Sequence, residues 1–314
     1  MKMAADILSL ASVRVAAGFD QAACSASWHV LDLETGSELG VESNFPVVLA
    51  SVFKVQVALE FYAQVDEGLL SPAQLMTLEP GSFTAGPTGI SGFEDPVRIS
   101  LRDLCKMMMS VSDNTATDVL LGLVGIDRIN ARTKACGCND THLQTNLKDL
   151  FDEMALEIGF ANYAELFAAQ SGNRGPDAGA RSRDPKRIDA CSAFDPGLTN
   201  RSTPRDMTRL LEAIWKDKAA SAASCARTRA VMAQQVSSRI GRALPDGAIL
   251  AAKTGSLSGR VRNEVGVITH ADGRAYAVAV FTRAHTPFAN GSAIETEIAK
   301  GVATAIAALR QVAY

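Results

Sequence analysis

Two patterns of hydrophobic and polar positions divide the chain. Toward both ends, short apolar or alternating runs are bounded by turn residues, which is typical of β-strands. The predicted strands lie at residues 27–40, which hold two strands around a turn at residues 34–36, and at residues 248–257, 264–270 and 274–282. The Asp272-Gly273 pair before the last of these is a strong hairpin signal. The pattern therefore predicts an antiparallel sheet of about five strands.

Helical periodicity accounts for most of the remaining chain. Residues 293–312 and a segment near the amino terminus have the helical period and are predicted to pack on the sheet. The middle of the chain is mostly helical by the same criterion, and Ser100 and Asp103 form a helix-capping pattern there. The predicted class is α+β. The predicted domains are a discontinuous sheet domain, residues 1–50 and 231–314, and an inserted helical domain, residues 51–230.

One segment has neither the alternation of a strand nor the period of a helix. Residues 171–187 are rich in Gly, Pro, Arg and Asp, and predict an exposed, irregular and mobile loop within an enlarged region around residues 171–203. Its five basic residues against two acidic ones leave a docking patch as an alternative, but a solvated loop is the favoured interpretation.

Composition excludes several classes of protein. The chain has 314 residues, 47% of them hydrophobic, with a formal net charge of −3 and a pI near 5.9. This balance offers no broad positive field for nucleic acid. Asp6 and Arg14 interrupt the first apolar run too early for a signal peptide, and no run approaches the roughly 20 apolar residues of a membrane span. We therefore expect a cytoplasmic protein that binds neither nucleic acid nor membrane.

Cysteine and histidine spacing argues against a metal site. The six cysteines are expected to stay reduced in a chain of this size without an export signal. Cys136 and Cys138 lack the C-x-x-C spacing and second ligand pair of a zinc site, and no histidine lies in an H-E-x-x-H motif. We expect no metal and no organic cofactor.

A lysine in an apolar helix start provides the first candidate chemistry. Ser51 and Lys54 are three residues apart in "ASVFK", so on a helix they share a face and the amine can lie against the hydroxyl. Keeping a lysine neutral at pH 7 costs about 4.6 kcal/mol unless burial or a second cation lowers its pKa. S-x-x-K alone is a weak signal, since a lysine at the end of a core helix gives the same spacing.

Two further motifs follow in order. Ser112-Asp113-Asn114 precedes a predicted helix, and Lys253-Thr254-Gly255 lies on a predicted strand. The trio S-x-x-K, S-D-N and K-T-G resembles that of class A β-lactamases and penicillin-binding proteins. Residues 44–61, 200–215 and 244–255 are also similar to segments of that family, and the resemblance covers about residues 27–312. It implies a five-stranded antiparallel sheet flanked by helices, with an inserted all-helical domain.

The resemblance also implies roles for individual residues. Ser51 would be the acylated nucleophile and Lys54 its base, while Ser112 would pass a proton to the leaving nitrogen beside Lys253. The N–H groups of Ser51 and Ser256 would form an oxyanion hole. Asn114 would hold the substrate amide and the Lys54 side chain. The residues implied for the rest of the substrate site are Thr254, Gly255, Ser256 and Arg262, of which Thr254, Ser256 and Arg262 would bind a substrate carboxylate.

One departure from the family concerns deacylation. Class A β-lactamases carry a glutamate shortly before the [ST]-T-P segment, where it activates the water that clears the acyl-enzyme. Here no glutamate lies between Glu165 and Glu212, and the region before Ser202-Thr203-Pro204 is longer than usual. It offers three aspartates instead: Asp184, Asp189 and Asp195. We therefore expect acylation of Ser51 with slow hydrolysis of the acyl-enzyme.

Three functions fit this pattern. The favoured one is a serine hydrolase that cleaves a β-lactam or a related small amide or ester. The second is an acyltransferase of the same fold, in which a bound amine or alcohol replaces water. The third is a non-catalytic acyl-binding sensor. An esterase with a nucleophile elbow is disfavoured because the sequence contains no G-x-S-x-G.

Overall fold

The computed structural model describes residues 2–312. Its strands are β1 (Cys24–Asp32), β2 (Glu38–Val41), β3 (Val47–Val48), β4 (Leu75–Leu78), β5 (Val97–Ser100), β6 (Arg201–Ser202), β7 (Ile249–Leu257), β8 (Val261–Thr269) and β9 (Ala275–Ala284). Five of them form one antiparallel sheet in the order β2-β1-β9-β8-β7. The predicted five-stranded antiparallel sheet is confirmed, and β7, which carries the K-T-G motif, is one of its edges.

Helices make up most of the remainder. They are α1 (Lys2–Gln21), α2 (Lys54–Asp66), α3 (Leu101–Ser110), α4 (Asn114–Val124), α5 (Ile126–Ala135), α6 (Leu147–Ile158), α7 (Tyr163–Gln170), α8 (Pro176–Ser182), α9 (Pro185–Asp189), α10 (Pro204–Trp215), α11 (Ala222–Met232) and α12 (Gly291–Val312). Short 3₁₀ helices cover Ala50–Phe53, Pro80–Ser82, Gly89–Gly92, Ser192–Phe194 and Ile240–Ala243. No helix within residues 2–312 combines the length and apolarity needed to cross a bilayer.

The sheet is covered on both faces. Val15 of α1 and Ile298 of α12 pack with Val278 of β9 in one apolar cluster. A larger cluster joins the opposite face, including Val265 of β8, to the middle helices, including Phe61 of α2. Burial of apolar side chains on both faces is the main force that holds these layers together. The α+β class is confirmed, while the partition into domains at residues 50 and 230 stays a prediction.

The segment predicted as an irregular loop contains helices. Residues 176–182 and 185–189 form α8 and α9, so that part of the expectation for residues 171–187 is wrong. Each helix begins with a proline, whose fixed φ suits the first turn and whose missing N–H is not needed there. The Asp184 carboxylate caps α9 by accepting from Lys186 N at 3.0 Å. The high proline and glycine content predicted a loop, whereas the two prolines lie at the first turns of short helices.

Candidate active site

The serine of the S-x-x-K motif lies where a 3₁₀ turn meets a helix. Ser51 is half-buried in the 3₁₀ helix Ala50–Phe53, and α2 begins at Lys54. Ala50 has a φ of 47°, in the left-handed region that favours glycine. A Cβ placed on Gly255 of β7 would be 3.1 Å from Ser51 N and 2.9 Å from the carbonyl oxygen two residues before it. Glycine at this position lets β7 lie against the backbone of Ser51.

Lys54 is a buried amine surrounded by uncharged acceptors. Its side chain is fully buried, and Nζ donates to Ser112 O at 2.8 Å, Ser112 Oγ at 3.1 Å and Asn114 Oδ1 at 3.1 Å. Burial lowers the pKa of Lys54 to about 7, although the carboxylates of Asp113 and Asp118 raise it. A large share of this lysine is therefore uncharged at neutral pH and able to accept a proton.

The contact expected between Lys54 and Ser51 differs in the structure. Among the hydrogen bonds of the described residues, none joins Lys54 Nζ to Ser51 Oγ, because Ser112 and Asn114 hold the amine. The spacing argument assumed a regular α-helix through both residues, whereas the helix type changes between them. The Ser112 hydroxyl is thus the motif hydroxyl that the lysine contacts directly.

A buried carboxylate fixes the S-D-N segment. Asp113 caps α4 by accepting from Ala116 N at 3.0 Å, and its other oxygen accepts from Ile90 N at 2.6 Å. Ser112 precedes this cap with a φ of 62°, again in the left-handed region. Asn114 Nδ2 donates to Ala85 O at 3.0 Å, which orients its oxygen toward Lys54. The cap therefore presents both Ser112 and Asn114 to the amine.

The third motif supplies a second buried lysine. Lys253 of β7 is fully buried, and its Nζ donates to Thr254 O at 3.0 Å. Burial holds the pKa of Lys253 well below its usual range, the charge of Lys54 acts in the same direction, and the Glu264 carboxylate opposes both. The close approach of Gly255 to Ser51 N brings the first and third motifs together. Ser256, two residues past Thr254, is exposed.

Two residues that contact the edge strand β7 belong to no recognisable motif. Gln235 Oε1 accepts from Thr254 N at 2.6 Å, and Arg239 Nη2 donates to Ser256 Oγ at 2.6 Å. Both lie between α11 and β7, in "AQQVSSR", where neither spacing nor periodicity distinguishes them. Arg239 is 8% exposed, so it is a nearly buried cation beside the predicted substrate-binding strand.

Arg262 lies opposite Ser256 in the pairing of β7 with β8. Its guanidinium is directed to α12, where Nε is 3.6 Å from Glu295 Oε1, and it also donates to Gly259 O at 3.3 Å. Three arginines reach the single Glu295 carboxylate: Arg239, Arg242 and Arg262. This part of the site therefore carries an excess of positive charge, and the arginine that contacts Ser256 is Arg239.

The three aspartates considered as bases are engaged elsewhere. Asp184 caps α9, Asp189 forms an ion pair with Arg260, and Asp195 Oδ1 accepts from Gly197 N at 2.7 Å. Among the described hydrogen bonds and ion pairs, none links these carboxylates to the residues of the three motifs. Two of the aspartates therefore bond to nearby backbone, and the third pairs with an arginine between β7 and β8.

A further carboxylate of α4 holds the start of α6. Asp118, one turn after Asn114 on α4, accepts from Leu147 N at 2.8 Å and Lys148 N at 2.9 Å. This contact fixes the start of α6 beside α4. Leu147 is 1% exposed, so the first residue of α6 adds an apolar side chain to the interior here. Within residues 2–312, no group of three or more His, Cys, Asp or Glu side chains is placed to hold a metal ion.

Comparison with known proteins places this geometry in a family. The model of the β-lactamase enzyme family matches residues 11–306. The chain belongs to the β-lactamase enzyme family. A "Beta-lactamase regulatory protein BlaB" of Streptomyces cacaoi is 32% identical over 281 residues, which cover 84% of this chain and 86% of that protein.

Solved structures of β-lactamase-like proteins show the same fold. A β-lactamase from Sphaerobacter thermophilus matches with 25% identity and a TM-score of 0.73, covering 94% of this chain and 95% of its own. PBP-A, solved as a leucine-to-glutamate variant in an acyl-enzyme complex with penicillin G, matches at 18% identity and a TM-score of 0.68, covering 96% of each chain. At that identity the second likeness shows the fold alone.

These findings confirm the resemblance given by the motifs and the fold class that it implies. The chain is a β-lactamase-like serine hydrolase that acts on a small molecule. The roles given to individual residues of this family member stay predictions.

Proposed function

We propose that the protein forms an acyl-enzyme on Ser51 by opening a β-lactam or a related small amide or ester. The observation that carries the proposal is the buried Lys54, whose amine is held by Ser112 and Asn114 and has a pKa lowered to about 7. Within residues 2–312 no carboxylate forms a direct ion pair with it. A neutral amine at physiological pH is the base that a serine hydroxyl needs in order to attack a carbonyl carbon.

The acylation step follows from these positions. The Ser51 oxygen bonds to the carbonyl carbon, and its proton passes to the Lys54 amine directly or through one water. The negative charge on the carbonyl oxygen is stabilised by the N–H groups of Ser51 and Ser256. The close approach of Gly255, the neighbour of Ser256, to Ser51 N supports this pairing. The C–N or C–O bond then breaks, and Ser112 donates its proton to the leaving atom while it recovers one from Lys54.

The edge of β7 fits a substrate that carries a carboxylate. Thr254 and Ser256 offer hydroxyl groups, and Arg239 places a guanidinium on Ser256 Oγ. Arg262 is the other candidate, but its guanidinium lies nearer Glu295. Because three arginines share that one glutamate, the edge retains positive charge for an anionic ligand.

Hydrolysis of the acyl-enzyme is proposed to be slow. A placed general base accelerates such a step by typically about 10²- to 10⁴-fold. The aspartates of the enlarged region have other partners, and the residue that Asp118 holds at the start of α6 is the apolar Leu147. The adduct should therefore outlast that of an efficient β-lactamase by a comparable factor.

Intact-protein mass spectrometry tests both parts of this proposal. After mixing with excess penicillin G, we expect one added penicillin mass that persists for minutes or longer in the wild type. Ser51→Ala should show no added mass while remaining folded, and Ser258→Ala, which changes a serine outside the three motifs, should behave like the wild type. Labelling of folded Ser51→Ala would remove Ser51 as the nucleophile.

A second candidate is a protein whose lasting acyl-enzyme acts as a signal. The name of the 32% identical relative, a regulatory protein, favours it. A sensor should bind about one penicillin per chain and then stop, whereas a hydrolase should continue to consume penicillin. An acyltransferase should instead turn over faster as an amine acceptor is added, so one turnover assay with and without amines separates the three functions.

A further inference from the structure

A second buried charge lies behind the substrate-binding edge. Glu264 of β8 is 0% exposed and stands opposite Thr254 in the pairing with β7. Within residues 2–312 no arginine or lysine forms a direct ion pair with it, so hydrogen bonds must offset its desolvation. A buried carboxylate without an ion pair is costly unless both of its oxygens are well satisfied.

All four donors to this carboxylate come from one short loop. Residues 235–240, here called the 235–240 loop, surround the two oxygens. Oε2 accepts from Arg239 N and Ile240 N, each at 2.7 Å, and Oε1 accepts from Ser238 Oγ at 2.7 Å and Gln235 Nε2 at 3.2 Å. Glu264 therefore fixes both ends of this loop to the sheet.

The same loop carries the two side chains that contact the edge of β7. Gln235 accepts from the backbone of Thr254, and Arg239 donates to Ser256 Oγ at 2.6 Å and to Asn263 O at 2.8 Å. If the loop shifted, Arg239 would lose its hydrogen bond to Ser256. Ser51, Lys54 and Ser112 lie on other elements and would stay in place.

We propose that Glu264 is a positioning residue, which holds the 235–240 loop so that Arg239 and Gln235 present the edge of β7 to a substrate carboxylate. The inference rests on the proposed function, since it concerns how the acyl donor is recognised. Glu264 does not touch the reacting atoms. Its main effect is on the binding of the carboxylate.

The test compares two acylating reagents on the full chain. Penicillin G carries a carboxylate and p-nitrophenyl acetate carries none. Glu264→Gln keeps the shape of the side chain, but only one of its two polar atoms accepts, so two of the four donors lose their partner. We expect the second-order rate of acylation by penicillin G to fall by about 10- to 10²-fold, because displacement of a binding group by about 1 Å has effects of this size. Acylation by p-nitrophenyl acetate should change by less than about threefold.

A matched control separates positioning from loss of structure. Asp32 of β1 is also a 0% exposed sheet carboxylate that accepts backbone N–H groups of a turn, from Glu34 at 2.9 Å and Thr35 at 3.2 Å. β1 is three strands away from β7. Asp32→Asn should leave the ratio of the two acylation rates unchanged, even where the protein is destabilised.

Two further variants test the inference if Glu264→Gln folds poorly. Glu264→Asp retains both accepting oxygens and should recover most of the lost preference for penicillin G. Ser238→Ala removes one of the four donors and leaves Glu264 intact, so it should lower that preference by an intermediate factor. An unchanged ratio in these folded variants would overturn the inference.

A binding measurement keeps the inference separate from the proposed function. In the Ser51→Ala background, calorimetry measures the affinity for penicillin G without any acylation. Adding Glu264→Gln should weaken that affinity by about 10- to 10²-fold, a loss of the size measured when a charged hydrogen-bonding group is displaced. If the wild type is never acylated but this loss is observed, the proposed function fails and the positioning role stands. Equal affinities, or no binding in either protein, would contradict the positioning role.

Discussion

Helix α2 buries one basic and one acidic side chain, and the two have different kinds of hydrogen-bond partner. Lys54 begins the helix, and Glu60 lies six residues later; both are about fully buried. Among residues 2–312, the acceptors that Lys54 Nζ contacts are all uncharged. Glu60 accepts from Arg132 Nε at 2.5 Å, Arg128 Nε at 3.0 Å and Gln64 Nε2 at 2.8 Å.

The pKa shifts record the difference. Burial would raise the pKa of Glu60, but hydrogen bonds from Arg132, Gln64 and Arg128 outweigh it and hold the pKa below the usual value, so the group stays charged. For Lys54 burial prevails and the pKa falls to about 7. A buried charge with a counter-ion supports structure, whereas one without a counter-ion is ready to exchange a proton.

The largest effect on the acylation rate is expected when Lys54 loses its amine. Lys54→Met keeps a long apolar stem and should lower the rate of Ser51 acylation by about 10²- to 10⁴-fold, the usual value of a general base. Its free energy of unfolding at pH 5 should not fall, because the variant removes an unpaired buried cation. Stopped-flow acylation and urea unfolding measure the two quantities. A folded Lys54→Met protein that is acylated at the wild-type rate would show that another group is the base.

The reverse result is expected at Glu60. Glu60→Gln removes the buried one of two carboxylates that pair with Arg128 and Arg132, and the exposed Glu67 remains. Because both arginines are partly exposed, the free energy of unfolding should fall by about 3 kcal/mol, the lower end for a broken buried pair. Acylation of the folded fraction should stay within about twofold of wild type, since Glu60 lies away from the three motifs. Loss of acylation without loss of stability would contradict this assignment.

The pH dependence sharpens the contrast. With the pKa of Lys54 lowered to about 7, the rate of acylation should rise about tenfold per pH unit below 7 and level off above it. Between pH 7 and the ordinary lysine pKa, the unfolded chain binds more protons at this residue than the folded one, so the contribution of Lys54 to the free energy of unfolding rises with pH. Glu60→Gln serves as the control and should keep the same acylation profile. A flat profile from pH 5 to 7 would argue against Lys54 as the base.

The sequence predicted what depends on short spacing. The three motifs, the strand that carries Lys253 and the cap at Ser100 all involve neighbours along the chain, and the structure contains the strand and the cap. It did not reveal the 235–240 loop, because the contacts of Gln235 and Arg239 depend on Glu264, more than 20 residues away in sequence. The interpretation of the S-x-x-K spacing also assumed a regular helix through Ser51, whereas the structure has a 3₁₀ turn packed against β7.

The smallest effects are expected at the three aspartates of the enlarged region. Asp184, Asp189 and Asp195 resemble Glu60 more than Lys54, because each has a partner: a helix start, Arg260 and the backbone of Gly197. Replacing each with asparagine should leave the lifetime of the penicillin adduct within about twofold, since a group that is not the base contributes little to deacylation.

Stability should change little as well. Asp189 is 42% exposed in its side chain, so loss of its ion pair should lower the free energy of unfolding by no more than about 1 kcal/mol. Mass spectrometry of the adduct over time tests all three variants together. A variant whose adduct lasts ten times longer than that of the wild type would identify that aspartate as the base for deacylation, and its partner would then have to give way when the acyl-enzyme forms.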